Sequence, residues 1–96
     1  MSISVSTHVL DTAAGTPVAG IPVELLRADE HVARMSTDAD GRAQLAEDLE
    51  AGVYRLVFHP SSPFFRRVEL ELELDDGHYH VPLLVSPYSC VTYRGS

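Results

Sequence analysis

Hydrophobic and polar residues alternate along most of this chain with a period of two, as expected of strands whose two faces meet different surroundings. The cleanest stretch runs from Val68 to Leu74, where Val68, Leu70, Leu72 and Leu74 alternate with Glu69, Glu71 and Glu73. Seven residues at about 3.3 Å each predict a strand of roughly 23 Å. Near the N-terminus Ile3, Val5, Thr7 and Val9 alternate with Ser4, Ser6, His8 and Leu10, so His8 faces away from Val5 and Val9. Further strands are predicted over 21–27, 34–37, 43–45, 53–58, 78–85 and 88–93, with Pro22 confined to a strand start or an edge. Turn-forming residues fill 11–17, Asp40-Gly41, 59–63, 75–77 and 86–87, and the Asp75-Asp76-Gly77 turn is expected to fold the chain back as a hairpin. Residues 46–50 read as loose coil, too short and poorly capped for a helix. Seven or eight short strands without a long helix predict an all-β, two-sheet antiparallel β-sandwich. Its open edges offer a route to pairing between subunits.

Length and composition narrow this picture. Ninety-six residues suit one domain, expected to span 1–96, and at that size folding buries only roughly 60–65% of the unfolded chain's surface, which favours oligomerisation. Fourteen acidic against seven basic residues give a net charge of −7, the wrong sign for binding nucleic acid or an anionic membrane. All seven basic residues are Arg, and a guanidinium stays charged and grips planar oxygens with two hydrogen bonds. The single cysteine, Cys90, has no partner for an intrachain disulfide, and neither a leader peptide nor a membrane span is apparent. A cytoplasmic protein is expected.

Candidate chemistry lies with the histidines and one arginine. His31 and His59 read as surface residues, whereas His8 and His80 occupy mid-strand positions near opposite ends of the chain. His78 and His80 share a face with Tyr79 opposite, but this pair has no accompanying cysteine or carboxylate cluster, so no metal site is expected. Hydrolysis without a cofactor needs a group of near-neutral pKa to take a proton from water and a fixed positive charge where an oxyanion develops. His8, His80 and Arg42, which follows the Asp40-Gly41 turn directly, are the side chains of those types. Ser96 lacks the Gly-x-Ser-x-Gly elbow of a nucleophile and reads as a hydrogen-bonding residue. Cys90 reads as an inert half-core thiol and the three glutamates as a solvated ladder.

At these residues the sequence resembles the transthyretin-like family, and within it the enzymatic branch of 5-hydroxyisourate hydrolases. The resemblance rests on Ser6-Thr7-His8-Val9-Leu10-Asp11, on Thr37-Asp38-Ala39-Asp40-Gly41-Arg42, on His78-Tyr79-His80-Val81-Pro82-Leu83-Leu84 with Ser86-Pro87-Tyr88, and on the terminal Tyr93-Arg94-Gly95-Ser96. It implies a transthyretin-like sandwich forming a homotetramer, a dimer of dimers with active sites at the dimer–dimer interface. It implies hydrolysis of 5-hydroxyisourate to 2-oxo-4-hydroxy-4-carboxy-5-ureidoimidazoline in urate degradation, with no cofactor. His8, Arg42 and His80 fall on the family's catalytic positions, and Tyr93, Arg94, Gly95 and Ser96, with its carboxylate, join them as substrate-binding residues. Either histidine is open as the base. The alternative implied by the wider family is a small-ligand carrier without turnover. The connection at 59–61 is shorter than the family's usual one, and its short connecting helix is expected to be missing.

Overall fold

Alternation decides which side of each strand enters the core. The computed structural model describes residues 2–96, and the described residues form ten strands and no helix. One sheet holds β1 (Ile3–Asp11), β2 (Thr16–Pro17), β5 (Arg42–Leu49), β8 (His78–His80), β9 (Leu83–Ser86) and β10 (Ser89–Thr92). The other holds β3 (Pro22–Arg27), β4 (Glu30–Ser36), β6 (Gly52–Phe58) and β7 (Val68–Leu74), all antiparallel, in the order β4-β3-β6-β7.

β1 is the spine of the first sheet. β5 runs antiparallel along one side of it, and β8 then β9 run parallel along the other, with β10 closing that edge. Val5 and Val9 of β1, Leu45 of β5 and Leu83 of β9 pack against Val23, Leu25, Tyr54, Leu56 and Phe58 of the second sheet. Each such side chain contributes roughly 1.5–3 kcal/mol by burial. The buried Thr7 hydroxyl donates to the Val81 carbonyl, so it carries no unmet hydrogen bond. A slip of β1 by one residue would drive Ser6 and His8 into this core, so core packing fixes which side chains face outward.

The sandwich is the one expected, with four local differences. The 75–77 turn makes no hairpin: it carries the chain from β7 in the second sheet to β8 in the first, where β8 lies parallel to β1. The Tyr79 hydroxyl secures that crossing by accepting the N–H groups of Asp75 (3.0 Å) and Asp76 (3.2 Å). The predicted strand over 78–85 is divided at Val81-Pro82 because proline has no N–H to give the ladder, yet its register against β1 is unchanged on either side. β5 runs on to Leu49 through residues read as coil, since two irregularities in its pairing with β1 break the period of two there. β4 starts earlier than predicted, at Glu30, as an exposed edge strand.

The 59–67 connection is helix-free and tied down by Ser62, whose hydroxyl accepts from the Phe64 and Phe65 N–H groups and donates to the Pro87 carbonyl. β7 and β10 end their sheets on the same side of the sandwich. Between them opens a groove of about 560 Å³ lined by Leu70, Leu72, Tyr79 and Thr92 to Arg94.

Candidate active site

The outward face of β1 presents Ser4, Ser6 and His8, and the register on both flanks decides their neighbours. His8 lies opposite Arg42 on β5, Ser6 lies between Gln44 on β5 and His80 on β8, and Ser4 lies opposite His78. The row then extends past β8, where the Gly95 N–H donates to the His80 carbonyl at 2.7 Å. Strand spacing of about 4.8 Å and two residues of about 3.3 Å along β1 place the His8 and His80 backbones about 8 Å apart. The resulting groove, about 410 Å³, is lined by Asp38, Arg42, Gln44, His78, His80 and Ser96 among others.

Arg42 and His8 are set by the 38–41 turn. Asp38 Oδ1 accepts the N–H groups of Asp40 (2.9 Å) and Arg42 (3.0 Å). The Arg42 N–H bond is the main reason its carboxyl is held below the usual range, with the Asp40 bond and the Arg42 and His8 charges acting the same way. Gly41 has φ +76°, and a Cβ there would stand 2.5 Å from the Val9 carbonyl oxygen, so the turn lies against β1 only because residue 41 has no side chain. His8 Nε2 is 2.8 Å from the Asp40 carbonyl oxygen. A carbonyl only accepts, so Nε2 carries the proton and Nδ1 of the neutral ring keeps its lone pair.

His80 sits deeper. Its Nδ1 lies 2.9 Å from Ser6 Oγ, and Ser6 Oγ lies 2.9 Å from His78 Nε2. Burial is the main cause pushing the His80 pKa below the ordinary histidine value, and positive charge at His78, His8 and Arg42 adds to it. A half-buried imidazole of that kind is neutral at pH 7 and free to accept a proton. Gly95 allows the C-terminal segment to close over the ring: a Cβ at that position would stand 2.8 Å from His80 Cδ2.

The other predicted residues divide between two places. Gly95 and Ser96 reach the histidine groove, whereas Tyr93 and Arg94 line the groove between the sheet edges, with the Arg94 guanidinium 4.2 Å above the Tyr79 ring. His31 and His59, read as unconnected surface residues, converge on Glu24: each Nε2 lies 2.6 Å from a different carboxylate oxygen, lowering the Glu24 pKa through those two hydrogen bonds. Among the described residues no three His, Cys, Asp or Glu side chains are arranged to hold a metal ion. Cys90 is half-buried and burial pushes its thiol pKa up. Ser6 and Asp38 were not singled out by sequence. The face shared by Ser4, Ser6 and His8 signalled the first, and an Asp two residues ahead of Asp-Gly, placed to accept the turn's N–H groups, signalled the second.

Fold and site together define a transthyretin-type β-sandwich whose outer sheet face carries a groove lined by imidazole, guanidinium, carboxylate and carboxamide groups. The chain belongs to the HIUase/Transthyretin family, whose model matches residues 5–95. It is 45% identical to the 5-hydroxyisourate hydrolase of Caulobacter vibrioides over 95% of this chain and 96% of that protein. The solved 5-hydroxyisourate hydrolase of Klebsiella pneumoniae superposes with a TM-score of 0.89 at 36% identity, covering 97% of this chain and 98% of its own. Sea bream transthyretin, solved in complex with thyroxine, superposes with a TM-score of 0.84 at 29% identity, covering 95% of this chain and 93% of its own.

Proposed function

We propose that the protein is a 5-hydroxyisourate hydrolase of urate degradation, acting through one domain that spans residues 1–96 and needing no cofactor. The observation that carries this reading is the meeting of Arg42 and His80 in one polar groove, with His8 paired opposite Arg42, in a chain 45% identical to a named hydrolase. A groove lined by imidazole, guanidinium, carboxamide, carboxylate and hydroxyl groups suits a small planar heterocycle bristling with amide and carbonyl groups. It offers little to an apolar ring.

The chemistry follows from the placements. Water adds across the ring amide of 5-hydroxyisourate: hydroxide goes to the carbonyl carbon, the carbon–nitrogen bond breaks and the ring nitrogen takes a proton. His80, neutral at pH 7, takes the proton from the attacking water at Nε2 and passes it to the leaving nitrogen. The Arg42 guanidinium stabilises the oxyanion of the tetrahedral intermediate. His8, with its proton fixed on Nε2 by the Asp40 carbonyl, presents Nδ1 as an acceptor that orients water or a substrate N–H. Gly95 and Ser96 close the groove beside His80, and Arg94 anchors that closing segment on the Tyr79 ring, with Tyr93 beside it in the neighbouring groove.

The working form in this reading is a homotetramer. Supporting it are the half-exposed Val91 and Tyr93 (51% and 52%) at the β10 edge, beside the open β7 edge. No helix among the described residues is long and apolar enough to cross a membrane, and an unpaired cysteine suits the cytoplasm. The test is the ultraviolet decay of freshly generated 5-hydroxyisourate. Enzyme-dependent acceleration abolished in His80→Ala and Arg42→Ala is expected. Binding of urate analogues without acceleration would instead identify a carrier.

A further inference from the structure

Ser6 Oγ lies 2.9 Å from His78 Nε2 and 2.9 Å from His80 Nδ1, and Ser4 Oγ lies 2.6 Å from His78 Nδ1. A hydroxyl has one proton to give. When Ser6 donates to one ring nitrogen, the other must donate to Ser6, and in that arrangement His78 Nε2 and His80 Nδ1 carry opposite protonation states. Between Ser4 and His78 Nδ1 one group donates and the other accepts. The four groups form a single file from half-buried Ser4 and exposed His78 to half-buried His80, a consequence of parallel pairing that sets Ser4 against His78 and Ser6 against His80.

We infer that His78 is a positioning and proton-relay residue, coupled through Ser6 to His80, and that this file exchanges protons between His80 and solvent, running outward when Nε2 takes the proton of the attacking water and back inward when Nε2 gives a proton to the leaving nitrogen. The inference rests on the hydrolase reading, since it takes His80 as the base. The file has two polarities. In the first, His80 Nδ1–H donates to Ser6, Ser6 donates to His78 Nε2, and His78 Nδ1–H donates to Ser4, leaving His80 Nε2 as a base. In the second every bond is reversed and His80 Nε2 carries a proton.

Converting the first state to the second takes one proton in at His80 Nε2 and expels one at Ser4. His80 Nδ1 gives its proton to Ser6, Ser6 gives its own to His78 Nε2, and His78 Nδ1 gives its proton to Ser4, whose own leaves to water. No bond other than these N–H and O–H bonds changes. Opening an amide to a carboxylate near neutral pH releases one net proton, and the groove around His80 contains cationic or ionisable neighbours on every flank: His8 on β1, Arg42 on β5, His78 on β8 and the Asp38 carboxylate in the 38–41 turn. With three of the four able to bear positive charge, a second proton retained there is disfavoured, and the file provides its exit.

The test compares wild type with His78→Ala, His78→Gln, Ser6→Ala and His80→Ala in dilute and in concentrated imidazole buffer, following 5-hydroxyisourate decay against pH. His78→Ala and Ser6→Ala are expected to lower kcat about tenfold in dilute buffer with KM unchanged, less than the roughly 100-fold or more that loss of the base itself costs. Imidazole restores the rate of His78→Ala, and its acid limb moves to higher pH because a positive neighbour of His80 is gone. His78→Gln keeps a hydrogen bond to Ser6 but passes no proton, so it behaves like His78→Ala. An unchanged kcat in dilute buffer, or a loss that imidazole does not repair and a pH profile that does not move, overturns the relay. Nitrogen-15 spectra of the histidine rings give a second reading without substrate: Ser6→Ala must change which ring nitrogen carries the proton at His80, and an unchanged spectrum also overturns it. Absence of turnover in wild type would instead refute the hydrolase reading and leave the spectra to decide the coupling.

Discussion

Replacing Gly95 by alanine separates the site from the fold. No positive φ is involved at this position, so the demand for glycine is one of space. The added Cβ would stand 2.8 Å from His80 Cδ2, and 3.4 Å from both the His80 carbonyl oxygen and Pro82 Cγ. Comfortable carbon–carbon contact needs about 3.5–4.0 Å, so the ring and the C-terminal segment must separate by about 1 Å. If the segment lifts away, the 2.7 Å bond from the Gly95 N–H to the His80 carbonyl goes with it. That bond stabilises by about 1 kcal/mol, which caps the loss in Tm at roughly 8 °C for a chain of this size. If the ring moves instead, a 1 Å displacement of a catalytic base costs on the order of 100-fold in rate. Gly95→Ala is therefore expected to cut kcat/KM about 100-fold while the thermal transition, scanned at one fixed protein concentration, stays within that limit. A variant with wild-type kcat/KM would show that His80 and the C-terminal segment do not meet in the working enzyme.

Other expectations follow from the same geometry. Arg42→Ala and His80→Ala should each lose at least roughly 100-fold in kcat with unchanged far-ultraviolet circular dichroism, and Arg42→Lys should recover only part because an ammonium lacks the two-pronged donor set. Gly41→Ala combines a left-handed backbone with a clash at the Val9 carbonyl and should destabilise by about 2 kcal/mol or more, read as a lower urea midpoint. Stability should fall with acid in two stages. The lowered His80 pKa means that the unfolded chain binds its proton first, so stability drops as pH falls below the ordinary histidine value. The lowered Glu24 and Asp38 pKa values contribute stability that is present above the ordinary carboxylate range and lost as pH falls through their folded values. Urea midpoints measured from pH 8 downward should show both stages, and Glu24→Gln should flatten the second.

The parts of the fold written in local pattern were legible. Alternation from Ile3 to Leu10 placed His8 on the outer face, and that from Val68 to Leu74 gave β7 end to end. The Asp40-Gly41 turn fixed where Arg42 emerges. What stayed hidden depended on residues far apart in the chain. Nothing local to 75–77 tells a hairpin from a crossing between sheets, because the outcome is decided by β1 receiving β8, more than seventy positions away. The segment after Leu45 lost its signal where pairing with β1 becomes irregular, at Val5↔Ala46 and Ile3↔Leu49, and Asp48 takes a positive φ of 55° there. At the site, residue types named His8, Arg42 and His80 as the groups to watch. The division of the C-terminal tetrapeptide between two grooves needed the alternation of Tyr79 against His78 and His80 to be seen in place. The Glu24 cluster was invisible for the same reason, since its members come from β3, β4 and the end of β6.

The parallel seating of β8 and β9 against β1 also dictates an order of events. The second sheet assembles from pairings closer in sequence, but β1 waits for its other flank until β8 and β9 exist, more than seventy residues on, and such distant pairings close slowly. A chain emerging from the ribosome therefore carries half a sheet with an open edge, exposed to the wrong partner, until its final strands arrive. β8 both completes the groove and covers the open flank of β1, so a chain cut before His78 would lack the groove and keep an unpaired sheet edge.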